Sequence, residues 1–267
     1  MDSVRCALML KSVPCTIVLG PMLWSPLSEM PYIGRMPIYL FTLFLYIILQ
    51  VPTALATNFG MLLAFRFITG FVGSPVLATG GATVSDISAS KKRAYGITVW
   101  GAFAVCAPAM GPIVGGFAAH VKGWRWTIWE LTWLGGFTFT ALFFFFPETS
   151  SSNILYRRAM RLRKALGDNR LKSMPEIEAE SMSRRDIATE VLVRPFTLNF
   201  QEPIVLLLNT YIGLFYALFY LWFESFPIVF VGIYHFKEQF YGLAFLGLLG
   251  GVTVTISRSF TTSREDV

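Results

Sequence analysis

Apolar residues run along this chain in long unbroken blocks, without the alternation of a half-buried strand or the single apolar stripe of a surface helix. A bilayer's hydrocarbon core, about 30 Å thick, is crossed by about 20 apolar helical residues. Six blocks reach or approach that length: Pro37–Thr57, Met61–Val84, Tyr95–Ala119, Thr127–Phe146, Pro203–Phe223 and Phe240–Ile256. A seventh, Val13–Leu27, is shorter and carries three prolines. The pattern predicts an all-α, polytopic transmembrane helix bundle. Between Pro147 and Glu202 the apolar blocks stop, and charged residues, Ser and Met take over. The expected organisation is a first transmembrane group at 1–147, a basic cytoplasmic connector at 148–202, a second group at 203–257 and a polar tail at 258–267. Within the connector, Tyr156–Leu166 has helical spacing that sets Arg157, Arg161 and Lys164 on one side. Such a helix either lies at lipid headgroups or stands as an ordinary solvated charged helix.

Loop charge orients the spans. Arg35, the Lys91-Lys92-Arg93 run and the basic residues of 157–194 fall in alternate loops, whereas Ala56–Gly60 and Lys122–Gly123 carry little positive charge. The basic loops are therefore expected on the cytoplasmic side. Under that orientation Val13–Leu27 enters from outside and leaves Met1–Ser12 on the outer face with no earlier span to deliver it. The expectation is a further upstream span.

Composition supports the membrane reading: 54% of residues are hydrophobic and 14% charged, against about 25% charged in soluble domains. The net charge of +6 does not imply nucleic acid, because ten of the 22 basic residues lie between Tyr156 and Arg194, in one loop. Cys6, Cys15 and Cys106 show neither CxxC nor Cys/His spacing, so no disulfide framework and no metal site is expected. His120 and His235 have no acid or Cys at ligand spacing. Gly80-Gly81 lacks the GK[ST] of a phosphate loop, and no Ser/His/Asp or Cys/His constellation recommends an enzyme. No cofactor is expected.

Two blocks carry a small residue at every fourth position, the spacing that lets helix backbones approach in lipid. One ridge is Gly70, Ser74, Ala78, Ala82; the other is Ala107, Gly111, Gly115, Ala119. Arg66 precedes Gly70 on the first ridge, inside an apolar block. A charge there costs a few kcal/mol unless it faces a polar cavity or partner, or its long stem reaches the interface. Residues 101–116 hold two prolines and four glycines, which free backbone groups and suit a helix that must bend.

These motifs resemble the major facilitator superfamily, and within it the fungal drug:proton antiporters of the benomyl, cycloheximide, caffeine and azole resistance type. Gly111-Pro112-x-x-Gly115-Gly116 is similar to the antiporter motif of a fifth span. Arg66-x-x-x-Gly70-x-x-Gly73 resembles the fourth-span arginine motif. Leu27-Ser-Glu-Met-Pro-Tyr-Ile-Gly-Arg35 resembles the loop between spans two and three, and Trp124-Arg-Trp126, Pro147-Glu-Thr149 and Arg194-Pro-Phe196 resemble fungal members. The resemblance implies a partial major-facilitator fold of about seven of twelve spans, numbers two to eight, with span one and spans nine to twelve outside the chain and transport by the chain alone impaired. It implies that Glu29, Gly34 and Arg35 belong to a cytoplasmic gate loop with Asp86 as acidic partner, and that Arg66 helps a proton-carrying acid cycle its charge. The loop has Glu where the general motif has Asp, and four residues between Glu29 and Gly34 where the motif has two.

In Pro203–Phe223, Asn209, Tyr211, Phe215, Tyr216 and Tyr220 offer rings with an occasional hydroxyl or amide. Such groups suit flat amphipathic ligands, and they equally suit an aromatic belt with ordinary helix packing. Glu224 is either a protonatable acid of the coupling machinery or an exposed interfacial carboxylate. The expected activity is proton-coupled efflux of small amphipathic molecules across the plasma membrane by a monomer. The alternatives are a polyamine or sugar transporter of the same superfamily and a seven-span, receptor-like or non-transporting membrane protein.

Overall fold

The structure, a computed structural model, describes residues 20–167, 171–181, 189, 193–235 and 242–265. All regular structure among them is helical. They fall into two compact units, one within Met1–Trp100 and Arg125–Ser183, the other within Gly101–Trp124 and Arg184–Val267.

The first unit opens with a helix at residues 20–29 (α1) and a turn at 31–33, followed by α2, Arg35–Ala54. The next apolar block forms two helices, α3 at Phe59–Gly73 and α4 at Pro75–Ile87. The division has a local cause. Pro75 has no N–H to give the Phe71 carbonyl, and the Ser74 hydroxyl donates to that carbonyl instead, at 2.8 Å. Gly20 sits against this junction: a Cβ on it would lie 1.8 Å from Ser74 Oγ and 2.7 Å from the Phe71 oxygen. The expected close approach at the small-residue ridge is therefore found where α1 meets Ser74. Helix α5, Arg93–Lys122, is continuous through Pro108 and Pro112. Its first turns belong to this unit, with the Trp100 ring over Gly80 and Gly81. Helix α6, Trp124–Phe145, packs on α2 through Gly135 against Ile47 and Phe139 against Phe44.

Hydroxyls are buried in these apolar helices without cost to hydrogen bonding. Thr42, Thr53, Thr69, Thr79 and Thr83 each donate to the carbonyl four residues earlier, which satisfies the donor within its own helix. The Tyr39 hydroxyl joins α2 to α4, lying 2.6 Å from Thr79 Oγ1 and 2.9 Å from Thr83 Oγ1; with both threonine protons on backbone carbonyls, its one proton is shared between those two acceptors. After α6 the chain forms the amphipathic helix α7, Ser151–Leu166, capped by Ser150 and ended by Gly167 in the left-handed conformation. A short helix follows, α8 at Met174–Ser181.

The second unit holds residues 101–122 of α5, then α9, Arg194–Gln201, and α10, Pro203–Phe226. Helix α10 continues as a π-helical stretch, Pro227–Ile233, which begins where Pro227 again supplies no donor. A single 3₁₀ turn at Gly242–Phe245 leads into α11, Leu246–Glu265. Phe245, almost wholly buried, is ringed by Trp222, Phe223 and Phe226 with centroids 4.6–6.0 Å away. Gly242 approaches the proline-rich part of α5: a Cβ there would be 2.7 Å from the Pro112 carbonyl oxygen.

Among the described residues, five helical stretches are long and apolar enough to cross a membrane: α2, Phe59–Ile87, α5, α6 and Pro203–Ile233, with Gly242–Arg258 a shorter apolar helix. The expected Val13–Leu27 and Phe240–Ile256 blocks lie partly outside the described residues, as do Cys6 and Cys15. The polar residues after Ile256, expected as a separate tail, continue α11 to Glu265. Helix hydrogen bonds need no apolar side chains, and Ser257 bonds back to the Thr253 carbonyl.

Candidate functional site: an arginine-centred cluster and an arginine-lined cavity

Two sites in the first unit gather the polar groups that its apolar helices carry. One centres on Arg35, the first residue of α2. Its guanidinium donates from Nη1 to Asp86 Oδ2 at 2.7 Å, joining the start of α2 to the end of α4. Its backbone N–H, one of the unpaired donors of a helix start, donates to Glu148 Oε1 at 3.0 Å. The same oxygen accepts from the N–H groups of Thr149 and Ser150, each at 3.0 Å. Glu148 thus places one carboxylate at the first turn of α2 and just before α7, where helix dipoles favour negative charge.

Gly34 makes room for this arrangement. It has φ +82°, and a Cβ would stand 2.6 Å from Glu148 Oε2. Asn153, buried in α7, donates from Nδ2 to the Pro31 carbonyl at 2.7 Å, and Tyr32 packs edge-on against Tyr156. Arg157 Nη2 lies 4.0 Å from Glu148 Oε2. Several buried atoms here, Arg35 Nε, Glu148 Oε2, Thr149 Oγ1 and Asn153 Oδ1, have no hydrogen-bond partner among the described residues.

Of the expected gate residues, the structure brings Arg35, Asp86 and Gly34 together. Glu29 does not join them. It is the last residue of α1, exposed, and the turn closed by Ile33 and Gly34 N–H bonds to the Met30 carbonyl separates it from Arg35. The carboxylate that completes the cluster is Glu148. The sequence held its signal in Pro147-Glu-Thr149, but only the fold puts residue 148 beside residue 34.

The second site is a cavity of ≈ 260 Å³ lined by Tyr46, Gln50, Arg66, Thr69, Gly70, Gly73, Ser74, Leu77 and Leu131. Gly73 faces the Tyr46 ring, which a Cβ would meet at 3.3 Å, and the Tyr46 side chain bonds Gln50 within the field of Arg66. Arg66 is exposed toward this space. The motif glycines thus do more than let backbones approach: they open a polar recess beside a fixed positive charge. Tyr46 and Gln50 escaped the sequence reading, since a lone Tyr and Gln in an apolar block carry no motif.

In α10 the candidate residues divide by face. At 100° per residue, Asn209, Tyr216, Tyr220 and Glu224 share one side, and Tyr211 and Phe215 share the other with Trp222. All are exposed. Asn209 Nδ2 donates to Asn199 Oδ1 of α9 at 2.7 Å, and Trp222 packs on Phe226 and Phe245. In α5, Gly115 and Gly116 are half-buried, Gly111 has open space where a side chain would start, and Pro112 meets Gly242. No group of three or more His, Cys, Asp or Glu residues able to hold a metal occurs among the described residues.

Comparison with known proteins agrees with this reading. The profile of the Major Facilitator Superfamily matches residues 7–263. The chain is 43% identical over 246 residues to Transporter mfs1 of Schizosaccharomyces pombe, covering 92% of this chain and 46% of that protein. It is 45% identical over 233 residues to Fluconazole resistance protein 1 of Saccharomyces cerevisiae, covering 87% and 42%. It is 40% identical over 240 residues to the Cycloheximide resistance protein of Candida maltosa, covering 88% and 44%. The chain thus spans slightly less than half the length of these relatives. Its long apolar helices, its Arg35 and Arg66 sites and these matches agree: the chain is a multi-pass membrane protein and belongs to the major facilitator superfamily.

Proposed function

We propose that this chain supplies part of a proton-coupled exporter of small amphipathic toxicants in a plasma membrane, working as a monomer. The observation that carries this reading is the Arg35 cluster. Its Asp86 pair and its Glu148 carboxylate tie the starts of α2 and α7 to the end of α4, all on the side that loop charge makes cytoplasmic. Opening that side to admit cargo requires these charge-assisted bonds to break, and closing remakes them.

Arg66 supplies the second element. A fixed cation in a recess within an apolar helix lowers the proton affinity of any acid brought near it. An acid that binds a proton on one side of the membrane and releases it on the other then changes its hold on Arg66 with each cycle. Glu224, exposed on α10, is a candidate for an acid that carries the proton. The names of the relatives, Fluconazole resistance protein 1 and Cycloheximide resistance protein, favour azole-sized, weakly polar cargo. A polyamine carrier fits less well, because a polycation would meet Arg66 in the cavity.

The test is a graft. Residues 14–257 replace the matched segment of Fluconazole resistance protein 1 in yeast lacking that protein, and retained radiolabelled fluconazole is measured with and without a collapsed proton gradient. The reading expects low retention that rises on collapse. Retention equal to the deletion strain despite normal surface expression would contradict it.

A further inference from the structure

Helix α7 presents a face that none of the described residues of its own unit covers. Its inner side is pinned, through buried Asn153 on the Pro31 carbonyl and Tyr156 on Tyr32. Its outer side carries Ile154, Leu155, Leu162 and Leu166, all exposed, the last at 67%. At 100° per residue these four fill one third of the helix circumference, with Arg158 among them. Arg161, Arg157 and Lys164 form an adjoining basic stripe. An ordinary solvated helix keeps its leucines inward; α7 turns them outward beside cations.

Position selects the occupant. Only five residues separate the end of α6 at Phe145 from the start of α7 at Ser151, and the contacts with Pro31 and Tyr32 hold α7 at the level where α1 passes into α2. That is the height of the headgroups on the cytoplasmic side. From this juxtaposition we infer that the outer face of α7 docks onto the cytoplasmic leaflet, its leucines entering the acyl boundary and its basic stripe binding anionic phospholipid headgroups. The leucines provide apolar burial and the arginines provide attraction to negative surface charge, the two contributions an interfacial helix combines.

The test uses the full chain with its native cysteines replaced and Leu162→Cys carrying an environment-sensitive fluorophore, reconstituted in phosphatidylcholine vesicles with or without phosphatidylserine. The expected result is emission shielded from iodide and quenched by lipids brominated along their chains, stronger with phosphatidylserine. Arg158→Gln and Arg161→Gln should each reduce that anionic-lipid preference about fivefold, while the Arg35 cluster, which they do not touch, keeps the protein folded. Equal iodide access in both vesicle types would overturn the inference in favour of a solvated face or a soluble partner. Shielding without quenching by brominated lipid would overturn it in favour of a cover made by protein. Loss of neither charge altering the signal would also overturn it.

Discussion

The Arg35 cluster and the long helix α10 show two ways a membrane helix can be read. Helix α2 buries Arg35, Ile38, Tyr39, Thr42, Gln50, Thr53 and Ala54, and three of these bond other helices or loops through named polar atoms or line the Arg66 cavity. Helix α10 and its π-helical extension bury no residue within the described structure. Both are strongly apolar, so hydropathy treats them alike. Apolar residues tell a helix to enter lipid and leave open what it faces there. Polar atoms inside the block do the specifying, because each must find a partner or a cavity.

Breaking the cluster should therefore have the largest effect. Glu148→Ala leaves three backbone donors without their shared acceptor, and should cost about 3 kcal/mol, read as an early thermal midpoint in detergent-solubilised, fluorescence-tagged protein. Glu148→Gln should recover part of the loss, since an amide oxygen still accepts. Next in size is Tyr39→Phe. It removes the hydroxyl shared by Thr79 and Thr83, whose own donors stay satisfied within α4, so the cost should be about 1 kcal/mol by the same assay.

A smaller, pH-dependent term belongs to the connector. The Arg163 guanidinium, bonded to Glu176 where α7 meets α8, holds that carboxyl below its usual range, against the opposing effect of burial, and the Ser173 N–H adds to the lowering. A carboxyl with a depressed folded-state value stabilises fully above its unfolded value, and the contribution disappears as pH falls through the folded value. Proteolysis of the connector should therefore accelerate as the pH falls below the ordinary carboxylate value, and Arg163→Gln should flatten that dependence. The smallest effect is expected in α10. Tyr211→Ala and Phe215→Ala should each stay within about 0.5 kcal/mol of the parent; a loss as large as that of Glu148→Ala would mean that this face is packed and would erase the contrast.

Fold class and the placing of the long apolar helices were legible because lipid imposes length and apolarity on any helix that crosses it. Arg66 was legible as a charge where charge is costly, and Arg35 and Asp86 through the family resemblance of the motif loop. Glu148 was visible only as part of a short motif, since Arg35, whose N–H it accepts, is 113 residues away in sequence. Tyr39, Tyr46 and Gln50 gave no signal because an isolated polar residue in an apolar block reads as tolerated until a neighbouring helix supplies its partner. That Tyr211 and Phe215 lie on the other side of α10 from Tyr216 and Tyr220 follows from helix geometry, as residues close in sequence fall on different sides of a helix. That Glu29 stands apart from Arg35 was not legible, because a motif fixes spacing along the chain, whereas the turn after α1 fixes direction.

The central claim is that Arg35 and Asp86 act as one unit in the cytoplasmic closing of an exporter. A double-mutant cycle in the grafted carrier tests it most directly. Arg35→Gln and Asp86→Asn should each reduce efflux at least about tenfold, and the double variant should be no worse than either single one, a coupling of about 1.4 kcal/mol or more. Independent losses that multiply in the double variant, or efflux unchanged by either substitution at equal expression, would contradict the account.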